Sequence, residues 1–189
     1  MSVALERWNA AGEQALDEIE AAHRALGGTG RGRRHATLQV NHAYTVLLSS
    51  QFQGFCRDLH TEAADFVVAN TQPAVSAGVL RVLLTQGRKL DRGNPNPGNL
   101  GSDFARLGIQ FWSAVRAVDA HADSRQQRLE DLNRWRNAIA HQDWINVGGD
   151  PNLRLARVRS WRVACNGLAQ SFDRAVRDHL HVMAGHDPW

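Results

Sequence analysis

Apolar residues recur every three or four positions over most of this chain, a spacing that places them on one face of an α-helix. Glycine- and proline-rich stretches interrupt the pattern and mark the connections between helices. The pattern predicts helices at about residues 5–26, 37–70, 73–83, 104–118, 124–141 and 158–183. The sequence therefore predicts an all-α fold, a bundle of five to six helices that forms a single domain over residues 1–189.

Three connections stand out in the sequence. Residues 27–34 read as a glycine-rich basic loop, and residues 91–99 contain too many Gly, Pro and Asn residues for regular structure. Residues 148–151 read as a turn. Because short apolar segments flank this turn at 144–147 and 153–155, a short hairpin after the fifth helix is one expectation.

Two predicted helices carry more specific expectations. On the third helix, the apolar residues Val75, Val79, Val82 and Leu83 are expected to form one face. For the fourth helix, either Ser102 or Asn99 can cap the N-terminus, because both side chains accept hydrogen bonds from backbone N–H groups.

Composition narrows the class of protein. A chain of 189 residues, 43% hydrophobic and 22% charged, can bury a sizeable core. It has no apolar run long enough for a membrane span and no secretory leader pattern, so we expect a cytoplasmic protein. Cys56 and Cys165 fall on apolar faces and are expected to be buried free thiols. A net charge of +3 is compatible with a polyanionic partner. No phosphate-loop, dinucleotide or zinc-protease motif is present, and we expect neither a cofactor nor a metal.

The candidate chemistry lies near the end of the fifth helix, at Arg136, Asn137 and His141. Arginine is a permanent planar cation suited to phosphate, and histidine transfers protons near neutral pH. Arg136 falls within the apolar arc that contains Leu129, Leu132, Trp135 and Ile139.

A charge in that arc needs a partner or a function. The structural alternative is an ion pair of Arg136 with Asp58, Glu62 or Asp131.

The spacing of the three residues has a geometric consequence. Arg136 and His141 lie five positions apart, about 140° around a regular helix, and do not converge within one copy. Asn137 and His141 are four positions apart and can hydrogen-bond, which would orient the imidazole. Two copies of the helix that meet across a two-fold axis would bring Arg and His from both chains into one cleft.

The motif Arg136-Asn137-Ala138-Ile139-Ala140-His141 resembles the Arg-x4-His motif of the HEPN superfamily. Many members of that superfamily are small helical endoribonucleases that need no metal. The resemblance implies a homodimer that cleaves RNA at a composite site in the dimer interface. It implies that Arg136, His141 and Asn137 are the catalytic residues, in a toxin or defence effector with a possible cognate antitoxin or regulatory protein.

Two further residues are candidates for substrate binding. Asp58 is expected to support the motif by pairing with Arg136, as an early-helix polar residue often does in HEPN folds. Trp144 follows His141 in a predicted loop and can stack on an RNA base. In the HEPN toxins that a nucleotidyltransferase antitoxin silences, a tyrosine lies two residues after the histidine. Asp143 occupies that position here, so the resemblance does not extend to this form of regulation.

The main alternative is a non-catalytic HEPN module that binds nucleotides or RNA, or that holds a dimer together. In such a module, Arg136 and His141 would bind phosphate or join the subunits without cleaving RNA.

Overall fold

The structure is a computed structural model, and it describes residues 1–27, 34–73 and 76–189. Its α-helices are α1 (Val3–Arg7), α2 (Glu13–Gly27), α3 (Arg34–Ala69), α4 (Ala77–Thr85), α5 (Pro97–Phe104), α6 (Phe111–Val118), α7 (Ala122–His141) and α8 (Leu155–Ala184). A π-helical turn, Trp8–Gly12, joins α1 to α2. The described residues contain no strand, which confirms the all-α prediction. The interior of the predicted loop at residues 27–34 lies outside the described residues.

The long helices α3 and α8 form the centre of the bundle, and α2, α6 and α7 pack around them. Aromatic rings fill the space between these helices. Phe52 of α3 lies 5.9 Å from Phe172 of α8, and Phe111 of α6 lies 4.8 Å from the same ring, measured between ring centroids. All three side chains are buried. Burial of each such ring contributes about 1.5–3 kcal/mol, so these contacts fix the relative positions of the helices.

The apolar face of α7 anchors this helix on α3 and α8. Leu129, Leu132, Trp135 and Ala138 are buried. The ring of Trp135 lies 6.3 Å from that of Trp161 on α8. The predicted burial of Leu129, Leu132 and Trp135 is confirmed, whereas Ile139 is only half-buried and Ala138 is buried instead. This packing leaves the opposite side of α7 open to solvent.

The predicted hairpin is wrong. Ile145–Val147 forms a turn of 3-10 helix, and Leu155 already belongs to α8. Gly148 and Gly149 both adopt left-handed backbone angles, with φ of +93° and +76°. Two successive residues of this kind turn the chain back tightly, and they let α8 begin a few residues later.

The predicted fourth helix begins earlier than expected and is divided in the structure. Residues 97–99, predicted to be irregular, form the start of α5. Gly108, with φ of +78°, ends a 3-10 turn at Ala105–Leu107 and separates α5 from α6. The bend lets the rings of Phe104 and Phe111 stack with centroids 4.2 Å apart. The cap prediction is also wrong, because the side chain of Asn96 accepts the N–H of Asn99, and Pro97 occupies the first turn.

The predicted apolar face of α4 is wrong as well. Val79, Val82 and Leu83 are largely exposed, and the buried residue of this helix is Leu84. Val75, the fourth residue of the predicted face, lies outside the described residues. Apolar residues lie on two adjacent faces of this nine-residue helix, so the sequence pattern alone does not show which face is buried.

Cys56 and Cys165 are buried free thiols, as expected. Within the described residues, no helix has the length and apolar character needed to cross a membrane.

A buried polar network connects α3 to α5. The His60 imidazole donates from Nε2 to the backbone carbonyl of Asp103 at 2.9 Å, and its Nδ1 faces the Arg88 guanidinium at 3.4 Å. The Asp103 carboxylate accepts the N–H groups of Lys89 and Leu90 at 2.9 and 2.8 Å. The network therefore attaches the segment before α5 to the core. Burial, aided by the Arg88 charge, lowers the pKa of His60 to about 4.

We expect this histidine to make the fold sensitive to acid. Its pKa is about 4 in the folded protein against an ordinary 6.5, so the unfolded chain binds the proton more readily. The stabilising contribution is complete above pH 6.5 and is lost as the pH falls towards 4. The difference corresponds to about 3 kcal/mol of unfolding free energy. Urea unfolding at the two ends of this range measures it.

His60→Gln is the matched variant for this measurement, since glutamine keeps a donor for the Asp103 carbonyl but does not titrate. As the pH falls through the same range, the free energy of unfolding of this variant should decrease by about 3 kcal/mol less than that of the wild type. Equal losses in the two proteins would contradict the assignment to His60.

Candidate functional site

The motif residues lie at the C-terminal end of α7. His141 is the last helical residue, and its side chain is exposed. Gln142 adopts a left-handed conformation with φ of +54°, and the N–H of Asp143 donates to the carbonyl of Ala138 at 3.1 Å. This arrangement ends the helix abruptly and turns the chain away. The imidazole is therefore left facing solvent at the helix end.

A groove of about 250 Å³ opens beside His141. From α7 it is lined by Arg134, Asn137, Ala138 and His141. These positions are spaced by three and four residues, so they lie on one face of the helix. Asp143 and Asn146, from the segment after α7, complete the lining.

Arg134 is the cation that the structure brings into the groove with His141. It lies seven residues before the histidine, which is about two helical turns and the same face. Its guanidinium pairs with Asp131 at 3.3 Å but remains 60% exposed. Sequence reasoning missed this residue, although its spacing from His141 was a usable signal.

Arg136 lies on a different side of α7, half-buried beside the apolar face. Its Nη1 donates to Oδ1 of the neighbouring Asn137 at 3.2 Å. Among the described residues, no carboxylate forms an ion pair with it. Asp131 binds Arg157 and the indole N–H of Trp161, and Glu62 accepts the N–H groups at the start of α1. The ion-pair alternative for Arg136 is therefore wrong.

Asp58 does not support the motif either. Its carboxylate pairs with Arg7 at 2.6 Å and so joins α3 to α1. The predicted pairing of Asp58 with Arg136 is wrong, because α3 turns this side chain towards the N-terminal helix.

Asn137 links Arg136 to a loop that sequence reasoning did not connect with the motif. Its Oδ1 accepts the Nδ2 of Asn94 at 2.5 Å, in addition to the bond from Arg136. The expected hydrogen bond between Asn137 and His141 does not form within the described chain, because the amide oxygen is directed towards the other two side chains. Asn94 is itself held by Asn99, whose Nδ2 donates to the Asn94 carbonyl at 2.8 Å. The amide of Asn137 is therefore fixed from two sides.

Trp144 packs against the bundle beside the groove. Its ring stacks on His42 of α3, with centroids 5.3 Å apart and planes 25° apart, and it lies 6.4 Å from Trp135. The side chain is half-buried. These contacts fix the start of the segment that supplies Asp143 and Asn146 to the groove.

The groove combines proton-transfer and phosphate-binding groups. His141 supplies an exposed imidazole, Arg134 supplies a guanidinium group, and Asn137 supplies an amide. Arg136 does not line the groove, but its guanidinium donates to this amide. Such a set can bind an anion and move a proton beside it. In the described ranges, no three His, Cys, Asp or Glu side chains come together as ligands for a metal ion.

We expect the Arg136→Ala substitution to leave the fold nearly intact. The guanidinium makes one bond, to an exposed amide, so its loss should lower the free energy of unfolding by about 1 kcal/mol or less. The matched variant is Asp131→Ala on the same helix, which removes partners from Arg134, Arg157 and Trp161. That change should cost about 2–3 kcal/mol. Urea unfolding measures both, and an Arg136→Ala loss as large as that of Asp131→Ala would show a structural role.

Comparisons with known proteins give no family for this chain. No protein-family profile, no curated protein and no solved structure matches it.

Proposed function

We propose that this protein is a metal-independent endoribonuclease of the HEPN type. The observation that carries the proposal is the groove at the end of α7. There the His141 imidazole, the Asn137 amide and the Arg134 guanidinium lie on one exposed face. Arg136 adds a second cation that has no carboxylate partner among the described residues. A half-buried arginine without a counterion is available for an anionic ligand, and the scissile phosphate of RNA is such a ligand.

The reaction follows from these groups. His141 accepts the proton of a ribose 2′-hydroxyl, whose oxygen attacks the adjacent phosphorus. The bond between O2′ and phosphorus forms as the bond between phosphorus and O5′ breaks. A water molecule donates a proton to the leaving O5′, and the resulting hydroxide takes up the proton held by His141. The products are a 2′,3′-cyclic phosphate and a 5′-hydroxyl. Arg136 stabilises the charge that grows on the phosphate oxygens, and Asn137 holds the Arg136 side chain in place.

Two copies of the protein are needed to bring an Arg136 and a His141 side chain together. Within one α7, Arg136 and His141 diverge by about 140°. A two-fold axis beside the exposed face of α7 would place Arg136 of one copy near His141 of the other. The proposal therefore includes a homodimer with a composite site.

The proposed cellular role rests on the resemblance of the motif to the Arg-x4-His motif of the HEPN superfamily. A nuclease of this kind would act on RNA in the cytoplasm as a toxin or a defence effector. A cognate antitoxin or another regulatory protein would then hold it inactive.

The direct test is incubation of the purified protein with end-labelled RNA in the presence of EDTA. We expect products with 5′-hydroxyl and 2′,3′-cyclic phosphate ends. His141→Ala should slow cleavage by roughly 10²–10⁴-fold, because it removes a positioned proton-transfer group. RNA with a 2′-deoxy substitution at the scissile position should survive.

Two variants outside the groove serve as controls. His121→Ala removes an exposed histidine near the other end of α7, and Arg128→Ala removes an exposed arginine from it. Both should cleave at the wild-type rate. Cleavage that continues undiminished in His141→Ala or Arg136→Ala would refute the proposal. RNA binding without any cleavage would instead favour the non-catalytic module.

A mixing experiment tests the composite site. Arg136→Ala and His141→Ala are each expected to be inactive as homodimers. If each site takes Arg136 from one copy and His141 from the other, an exchanged mixture should recover roughly a quarter of the wild-type activity. Half of the dimers would then be mixed, and each would have one intact site of two. An inactive mixture whose subunits demonstrably exchange, or a monomeric mass in solution, would exclude the shared site.

A further inference from the structure

A second cavity lies next to the groove, one to two turns nearer the N-terminus of α7. It encloses about 310 Å³ and is lined by six residues, Asn94, Asn96, Glu130, Asn133, Arg134 and Asn137. Its size falls at the lower end of the roughly 300–1,000 Å³ of small-molecule sites. The cavity shares Arg134 and Asn137 with the groove that contains His141. A ligand in one space would therefore be adjacent to a ligand in the other.

Asn133 provides a buried acceptor at this cavity. The residue is only 4% exposed. Its Nδ2 donates to the carbonyls of Leu129 at 2.8 Å and of Pro95 at 3.3 Å, so the orientation of the amide is fixed. Its Oδ1 is buried and has no partner in the part of the chain that the structure describes. A buried acceptor of this kind is costly unless a ligand supplies the missing donor.

Two further acceptors face the same cavity. The carboxylate of Glu130 forms no ion pair or hydrogen bond with any other described residue. Asn94 uses its Nδ2 on Asn137, which leaves the amide oxygen of Asn94 available. The cavity is therefore rich in acceptors and is bordered by one cation, Arg134.

This set of acceptors matches a nucleobase that presents several N–H donors. Guanine carries N1–H and the N2 amino group side by side, which match the two oxygens of one carboxylate. Adenine and cytosine offer an amino group alone, and carboxylates accept from such groups. Uracil has no amino group. We infer that the cavity binds a nucleobase with an exocyclic amino group, guanine best, through the carboxylate of Glu130.

The inference rests on the proposed RNA substrate and assigns its base preference. The phosphate next to the bound base would lie in the groove, beside His141 and the shared residues Arg134 and Asn137. Cleavage would then occur next to an amino-bearing base.

Titration calorimetry with mononucleotides tests the base site without any cleavage. The probes are GMP, AMP, CMP and UMP, with the phosphate on either the 3′ or the 5′ carbon. GMP should bind the wild type tighter than UMP by roughly 5- to 150-fold, which is the usual range for one bidentate base contact. Glu130→Gln replaces one acceptor oxygen with a donor and should bring this ratio close to one.

The matched control is Glu6→Gln, an exposed glutamate on α1 that lies away from the cavity. It should keep the wild-type preference. Equal binding of the four nucleotides to the wild type, or an unchanged preference in Glu130→Gln, would overturn the inference.

Mapping the cleavage sites in a mixed-sequence RNA separates this inference from the nuclease proposal. Cleavage that shows no base preference and is unchanged in Glu130→Gln would refute the base site but not the nuclease proposal. Selective binding of GMP by a protein that cleaves no RNA would refute the nuclease proposal but not the base site.

Discussion

The packing of one face of α7 against α3 and α8 determines the arrangement of the candidate site. Leu129, Leu132, Trp135 and Ala138 are buried there, and a helix has only one rotational setting that buries all four. The same setting directs Arg134, Asn137 and His141 to solvent on one face. The polar groups need no interaction with one another to be aligned. Burial of large side chains, worth about 1.5–3 kcal/mol each, fixes the geometry of the exposed side.

The sequence was sufficient for the features that depend on a long periodic pattern. The helical class, the buried face of α7 and the two buried thiols all follow from residues three or four positions apart. The same periodicity also predicts the exposed face of α7, and Arg134 could have been identified on that face. Short elements were less predictable. The nine residues of α4 carry apolar side chains on two faces, and only contacts with the rest of the bundle select Leu84 as the buried one.

The sequence pattern could not predict contacts between distant segments. Asn94 meets Asn137 across 43 positions of the chain, and nothing in the sequence near either residue marks that pairing. Asp58 was assigned to Arg136 from its charge and from the resemblance to HEPN folds. The rotation of α3 instead directs it to Arg7. Complementary charges are common in any chain, so a pairing needs the relative placement of two helices before it can be specified.

The buried network around His60 extends the influence of the core to the candidate site. Asp103 fixes the backbone of Lys89 and Leu90, and a few residues later the same segment supplies Asn94 to Asn137. A satisfied buried network of this kind holds its members in one arrangement. The amide beside Arg136 is thus supported from the interior of the bundle as well as from its own helix.

The abrupt end of α7 at the left-handed Gln142 has a consequence for how this protein can vary. Each residue added or removed between Trp135 and His141 would rotate the imidazole by about 100° relative to the buried indole. Apart from Asn137, the exposed residue of this interval is Ala140, which can be exchanged freely by comparison. Descendants of this chain should therefore preserve the length of the interval more strictly than the identity of Ala140.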